Sequence, residues 1–414
     1  MNIFKRFSAN TKGTIAVTYA LSLVPILAAA GAAIDLARYS SMQTQMQAAL
    51  DAGTLAAAAA KDKTSAQRIQ IGKDAFAANM STGFASNYTS TIAFTITDID
   101  VKASATAKLP TTILAVAGVK DFDVNTSSDV VIPEIKKAEI ALVLDYSGSM
   151  ADVAGTQVKY IAMRQAAIKL IDDVTKDNAD KVKFALVPFS HNVYTTMPKS
   201  NVLGQSGAGN WTGCTQDRKY PYNLTDSTPT NTAATKWGQA DAPDHTAWGC
   251  DGYIARGLKI RPLTNDFTAV KSQLNTMYPY AYTHVALGVE FGYHVLSPNA
   301  PYSEAVSYGD TNTIKYMVVL TDGAQTEPAF GPGSTRTVAQ GDSNLEKLCS
   351  NAKASGITMI TVAFDLDDNS QTQRLKNCAS NSATDFYASN TADDVAKAFQ
   401  TITNAITATA FLSK

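Results

Sequence analysis

Ala138-Glu139-Ile140-Ala141-Leu142-Val143-Leu144 runs directly into Asp145-Tyr146-Ser147-Gly148-Ser149, and the fold is read outward from this stretch. The first seven residues are nearly all apolar and do not alternate, which predicts a strand buried on both faces. Val182–Phe189, residues 314–320 and Ile357–Phe364 have the same texture. Helical patterns are expected over about 158–174, 284–296, 343–355 and 391–407. In the first of these, Ile161, Ile168, Leu170 and Ile171 are among the apolar positions. Strands of this kind separated by helices predict an α/β fold, a doubly wound and mostly parallel sheet with helices on both faces.

The loop that ends the first strand carries the chemistry. Ligands of such sheets bind at the carboxyl ends of the strands. Asp145 offers a hard anionic oxygen there, and Ser147 and Ser149 offer two hydroxyls from one tight turn. Small hard cations prefer such oxygen donors, and Mg²⁺ keeps several waters. By itself Asp-x-Ser-x-Ser also fits a helix cap. Two other loops add to it. Asp322 follows the strand 314–320 in Leu320-Thr321-Asp322-Gly323, and Thr283 precedes the helix 284–296.

Asp-x-Ser-x-Ser, then Thr, then Asp-Gly resembles the metal-ion-dependent adhesion site (MIDAS) of von Willebrand factor A-type domains. The resemblance spans about 138–410 apart from an insertion. It implies direct ligation of Mg²⁺ (or Mn²⁺ or Ca²⁺) by Asp145, Ser147, Ser149 and Thr283, with Asp322 acting through water. A partner's carboxylate or a water would complete the shell. Tyr282-Thr283-His284 departs from the usual Thr-rich, Gly-containing lead-in, which weakens the assignment of Thr283.

The N-terminus has its own pattern. Lys5, Arg6 and Lys12 precede an uncharged apolar run, residues 13–34. As a helix it is about 33 Å long, enough to cross a hydrocarbon core of roughly 30 Å. The positive-inside rule puts the N-terminus in the cytoplasm. Pro25 is expected to kink the helix, which a membrane segment tolerates. A cleaved secretory signal, cut near Ala28-Ala29-Ala30, is the alternative. Against it, Leu36, Tyr39, Met42, Met46 and Leu50 continue at helical spacing past the membrane edge.

Lys12-Gly13 before the apolar run, the exit Ile34-Asp35-Leu36-Ala37-Arg38, and Gln47-Ala48-Ala49-Leu50-Asp51-Ala52 resemble the TadG-like proteins of tight-adherence (Flp) pilus assembly. That resemblance implies a pilin-like membrane helix carrying a periplasmic A domain. Thr18 stands where pilin-like relatives often have Glu, which puts peptidase cleavage after Gly13 in doubt.

Three regions are therefore expected. Residues 1–36 are a cytoplasmic stub and transmembrane helix. Residues 37–135 are a stalk helix, running to about Met80, and a small α+β region with period-two strands at Ile92, Phe94, Ile96 and at Ile99, Val101, Ala103. Residues 138–410 are the A-type domain, after a linker at Pro133 to Lys137. Its insertion at about 191–261 lacks periodicity and reads as a long surface segment. Trp211, Trp237 and Trp248 cluster there, as a small core or as an exposed contact surface. Four cysteines on the outer side favour disulfides, and pairing within local segments gives Cys214–Cys250 and Cys349–Cys378.

A net charge of −1 gives no basis for nucleic-acid binding. His191, His245, His284 and His294 lack metal-ligand spacing. No catalytic motif accompanies the site, so the expectation is a binding protein and not an enzyme. It would be a pilus-assembly factor in the bacterial inner membrane, with its bulk in the periplasm. Its partner would be a protein with an acidic residue, a pilus or secretion-system component. The alternative is a surface-exposed adhesin that binds a host or matrix ligand through the same site.

Overall fold

The computed structural model describes residues 14–61, 63–80, 90–132, 136–203, 211–239 and 250–411. Trp248, His245, the linker residues Pro133 to Ile135 and the basic stub lie outside them. The chain divides into two compact units, Met1–Glu134 and Ile135–Lys414.

In the first unit helix α1 (Thr14–Ala59) runs on through Pro25. The single helix expected to reach Met80 is in fact two. Thr64 ends the connection by capping α2 (Ser65–Asn79): its hydroxyl accepts from the Gln67 amide while the Gln67 side chain accepts from the Thr64 amide. The helices touch backbone to backbone, since a Cβ added at Gly53 would lie 2.6 Å from the Gly72 carbonyl. Strands β1 (Ser90–Ile96), β2 (Asp100–Pro110) and β3 (Asp121–Val131) form an antiparallel sheet. On β2, Val101, Ala103, Ala105, Ala107 and Leu109 all face inward, most of them onto Met42, Met46, Ala49 and Leu50 of α1. Ile99, expected in this strand, sits exposed in the turn before it. Strand β3 was not expected because its sequence is polar; its inward Val124 and Thr126 are buried.

The second unit is built on one sheet. Its elements are β4 (Lys137–Asp145), α3 (Lys159–Thr175), β5 (Val182–Phe189), then within the insertion β6 (Val193–Tyr194), β7 (Cys214–Arg218), β8 (Trp237–Gln239) and α4 (Cys250–Ala255). After it come β9 (Arg261–Thr264), α5 (Phe267–Thr276), α6 (Val285–Leu296), β10 (Thr313–Thr321), α7 (Val338–Ala354), β11 (Ile357–Phe364), α8 (Asn369–Cys378), β12 (Phe386–Ser389) and α9 (Ala392–Ala410). The strand order is β9-β5-β4-β10-β11-β12, parallel except for β9.

The run Ile140 to Leu144 shows why these strands are continuously apolar. Ile140, Leu142 and Leu144 pack under α3, α5 and α9, while Ala141 and Val143 pack under α6 and α7. Helix α6 lies close on the sheet because it presents glycine: a Cβ at Gly292 would lie 2.6 Å from Val143 Cγ2. The edge strands β9 and β12 and helix α5 were not expected from the sequence. They are short, and the edge strands are only partly buried, so their pattern is weak.

Both expected disulfides are present, Cys214–Cys250 and Cys349–Cys378. The second closes a separation of 29 residues between α7 and α8. Replacing both of its cysteines with serine should cost about 3–4 kcal/mol, the loop entropy returned to the unfolded chain. Urea denaturation of the double variant checks this; an unchanged midpoint would contradict it.

The insertion is more ordered than its sequence suggests. Strands β6, β7 and β8 form a small sheet. Trp237 is fully buried against Phe291 and His294 of α6, and Trp211 is buried as well, so these two are core residues and not an exposed contact surface. Arg218 is also fully buried. Its Nε donates to Glu290 Oε1 at 3.1 Å, Nη1 donates to the Ser227 carbonyl at 2.7 Å, and Nη2 contacts His294 Nε2 at 2.9 Å. Trp237 Nε1 donates to the same Glu290 oxygen.

Candidate functional site

Three parallel strands end on aspartate. Asp145 closes β4, Asp322 follows β10, and Asp365 follows β11. The strands are neighbours, so these carboxylates gather at one edge of the sheet.

Asp145 is completely buried. Its Oδ1 accepts from the Ser147 amide at 2.7 Å, and its Oδ2 accepts from Thr321 Oγ1 at 2.6 Å. Ser147 stands at the cap position of a short 3-10 turn, Gly148–Ala151, yet its hydroxyl makes no capping bond. It lies 3.2 Å from Ser149 Oγ. Ser149 Oγ donates to Asp322 Oδ1 at 2.8 Å. Asp322 is therefore more than a turn residue, because it ties the β10 end to the β4 loop.

Thr283 comes from the segment before α6. The Gly148 amide donates to the Ala281 carbonyl at 2.8 Å, and Ala281 holds a left-handed φ of 65°. That bond pins the two loops together. A Cβ added at Gly323 would lie 3.2 Å from Thr283 Oγ1 and 3.8 Å from Ser149 Oγ. Both hydroxyls thus lie close against Gly323, so the β4 loop, the segment before α6 and the β10 end meet there. The structure brings Asp145, Ser147, Ser149, Thr283 and Asp322 to one place.

Sequence reasoning missed Lys159. At the start of α3 its Nζ lies 3.1 Å from Asp322 Oδ2 and 3.1 Å from Asp365 Oδ2. Nothing in the local sequence marks it, because the pairing with Asp322 joins residues 163 positions apart. Asp365 could have been found, since it repeats the strand-then-aspartate pattern of Asp145 and Asp322. Thr321, immediately before Asp322, was also missed.

Two carboxylates are buried close together here. Burial, and then the neighbouring Asp322, push the Asp145 carboxyl up to about 7, against the hydrogen bonds from Thr321 and Ser147. Burial likewise raises Asp322, with Ser149 and Lys159 opposing. Burial works against the Lys159 ammonium, but Asp322 and Asp365 more than offset it, so its pKa is raised. Lys159 neutralises the outer oxygen of Asp322, while Asp145 forms no salt bridge among the described residues. The donor set fits Mg²⁺, Mn²⁺ or Ca²⁺ by chemistry: carboxylate and hydroxyl oxygens gathered together. Among the described residues no group of three or more His, Cys, Asp or Glu could hold a metal, so hydroxyls would supply much of the shell.

Residues 260–404 match the family model of the von Willebrand factor type A domain, and residues 13–60 match that of putative Flp pilus-assembly TadE/G-like proteins. The chain carries an A domain behind a TadE/G-like segment. The A-domain match contains Thr283 and Asp322; β4, β5 and the Asp145 loop precede it in sequence and complete the same sheet. The TadE/G-like match coincides with α1. No curated protein matches the sequence.

Several solved structures are similar to this chain. They include the pilus adhesin SpaC from Lactobacillus rhamnosus GG, at 13% identity and TM-score 0.40, covering 79% of this chain and 36% of that one. The vWF domain of the type V pili tip protein Mfa5 from Porphyromonas gingivalis is 12% identical, with TM-score 0.41 and coverage of 68% and 99%. The PilB minor pilin from Streptococcus sanguinis is 12% identical, with TM-score 0.37 and coverage of 77% and 78%. This chain thus spans little more than a third of SpaC's length, 36%.

Proposed function

We propose that this chain is a membrane-anchored pilus-assembly factor whose A domain captures a protein partner through a divalent cation. Helix α1 is long and apolar enough to cross a membrane. In this reading it holds the A domain on the periplasmic side of the bacterial inner membrane. Asp145, Ser147, Ser149 and Thr283 would hold the cation, and Asp322 would act through water. A cation held there would supply Lewis-acid coordination for an acidic side chain of the partner. This is coordination and not bond breaking, so the protein is not an enzyme.

The observation that carries the reading is the convergence of five oxygen-bearing side chains, one of them the buried Asp145 carboxylate, which has no salt bridge among the described residues. The TadE/G-like match supplies the pilus-assembly context.

The test is capture of partners from crosslinked envelopes by the full chain, with and without chelator. Capture lost in chelator and restored by Mg²⁺ is the expected result. Capture that ignores chelator would overturn the metal-dependent mechanism. Labelling of intact cells separates assembly from adhesion: a chain reached by an impermeant reagent would favour a surface adhesin.

A further inference from the structure

Between β2 and β3 of the N-terminal unit the chain makes an uncharged tip, Thr111 to Val119. One turn of 3-10 helix, Leu114–Ala117, forms its end. Val116 is 91% exposed, and Ile113 and Val119 are exposed beside it. Single exposed apolar residues are ordinary, but a cluster at a tip calls for a cover.

Two observations identify the cover. The first is depth. Ile113 packs onto Gly31 of α1 so closely that a Cβ there would lie 2.2 Å from Ile113 Cγ2. Gly31 belongs to the apolar run 13–34, so a bilayer crossed by that run also reaches the tip. The second is the backbone. Asp35 takes the amides of Thr112, Ile113 and Leu114 on its two carboxylate oxygens, at 2.9–3.0 Å, and the Thr112 hydroxyl at 2.6 Å. The amides of Thr111, Val116, Gly118 and Val119 donate to carbonyls within the segment 111–120. Turns in water make such bonds too, but with Asp35 added most amides of the tip are satisfied within the protein, as entry into lipid requires. Lys120 flanks the tip, as do Arg38 and Lys108, which pair with Asp35 and with Asp121 and Asp123.

We propose that the tip inserts into the lipid leaflet from which α1 emerges, with Ile113, Val116 and Val119 in the acyl region and Asp35 as its buried cap. This rests on the reading of residues 13–34 as a membrane span. Helix and tip together would fix the tilt of the N-terminal unit at the membrane surface, which a single helix cannot do.

The test uses the full chain in lipid nanodiscs. All four native cysteines are paired, so an introduced cysteine takes a single label. An environment-sensitive fluorophore is placed in separate variants: Val116→Cys at the tip, Leu23→Cys in α1, and Asp98→Cys at the opposite end of β2. Val116 is nearly fully exposed, so the label should leave the fold unchanged. The expected result is blue-shifted emission, mostly quenched by nitroxide lipids, at 116 and 23 but not at 98. Quenching at 23 with a water-like signal at 116 overturns the insertion and leaves the anchor standing. Water-like signals at both overturn the anchor and the insertion together.

Discussion

Asp145→Asn should abolish divalent-cation binding without destabilising the metal-free A domain, and Lys159→Met should strengthen binding. Asparagine keeps an oxygen for the Ser147 amide, 2.7 Å away. It removes a charge that burial and Asp322 disfavour. The sign follows from the shift. A carboxyl at about 7 in the folded chain, against 3.8 as its ordinary value, opposes folding increasingly as pH rises between those values. The asparagine variant should therefore gain stability at pH 7–8, about 1–3 kcal/mol, and none near pH 4. A metal site, in contrast, needs that charge.

Lys159→Met acts through Asp322. It removes a positive charge that would repel the candidate cation, so binding should tighten by at least about tenfold, the effect of about 1.4 kcal/mol. It also leaves Asp322 without its 3.1 Å ion-pair partner, so the metal-free variant should melt lower. Added Mg²⁺ should then raise its melting temperature more than that of the unaltered protein. Calorimetry with Mg²⁺ and Mn²⁺, with melts across pH, measures both variants. Heat and melting temperature that ignore metal in all three proteins would mean that the motif is scaffold only.

The second large effect is expected at Arg218. Arg218→Ala should cost about 3–5 kcal/mol, because it strands Glu290 in the core without its cation. Glu290 is fully buried, and burial pushes its carboxyl up while Arg218 holds it down, so losing Arg218 removes what keeps it charged. The loss is a large part of the roughly 5–15 kcal/mol that a domain has. The variant should also loosen the insertion, since Arg218 holds the carbonyls of Thr225 and Ser227. Pairing Arg218→Met with Glu290→Gln should recover much of the stability, because the stranded charge is gone. Urea melts of the single and double variants decide it. A single variant as stable as the parent would show that the ion pair is dispensable.

Legibility differed by element, for physical reasons. Strands β4, β5, β10 and β11 were readable because burial on both faces forces nearly every residue to be apolar. Helices α3, α6, α7 and α9 were readable from spacing, although α7 starts at Val338 and not near 343, on a Thr337 cap. The break between α1 and α2 was missed because the Ala-rich sequence continues to Ala60. Only the Thr64–Gln67 capping box marks it. The insertion was unreadable because its order comes from Arg218 and Trp237 docking on α6, partners 53 to 76 residues away.

The sequence by itself determined the apolar helix and the parallel sheet, and it marked five oxygen-bearing side chains at strand ends and loops, because each depends on residue type and short-range spacing. Tertiary structure alone decided that Lys159 stands between Asp322 and Asp365 and that Asp35 caps a distant apolar tip. It also decided that Gly323 lies close against Thr283 and Ser149. Each of those is a contact between separate elements, whose energy comes from burial and distance and leaves no trace in neighbouring residues.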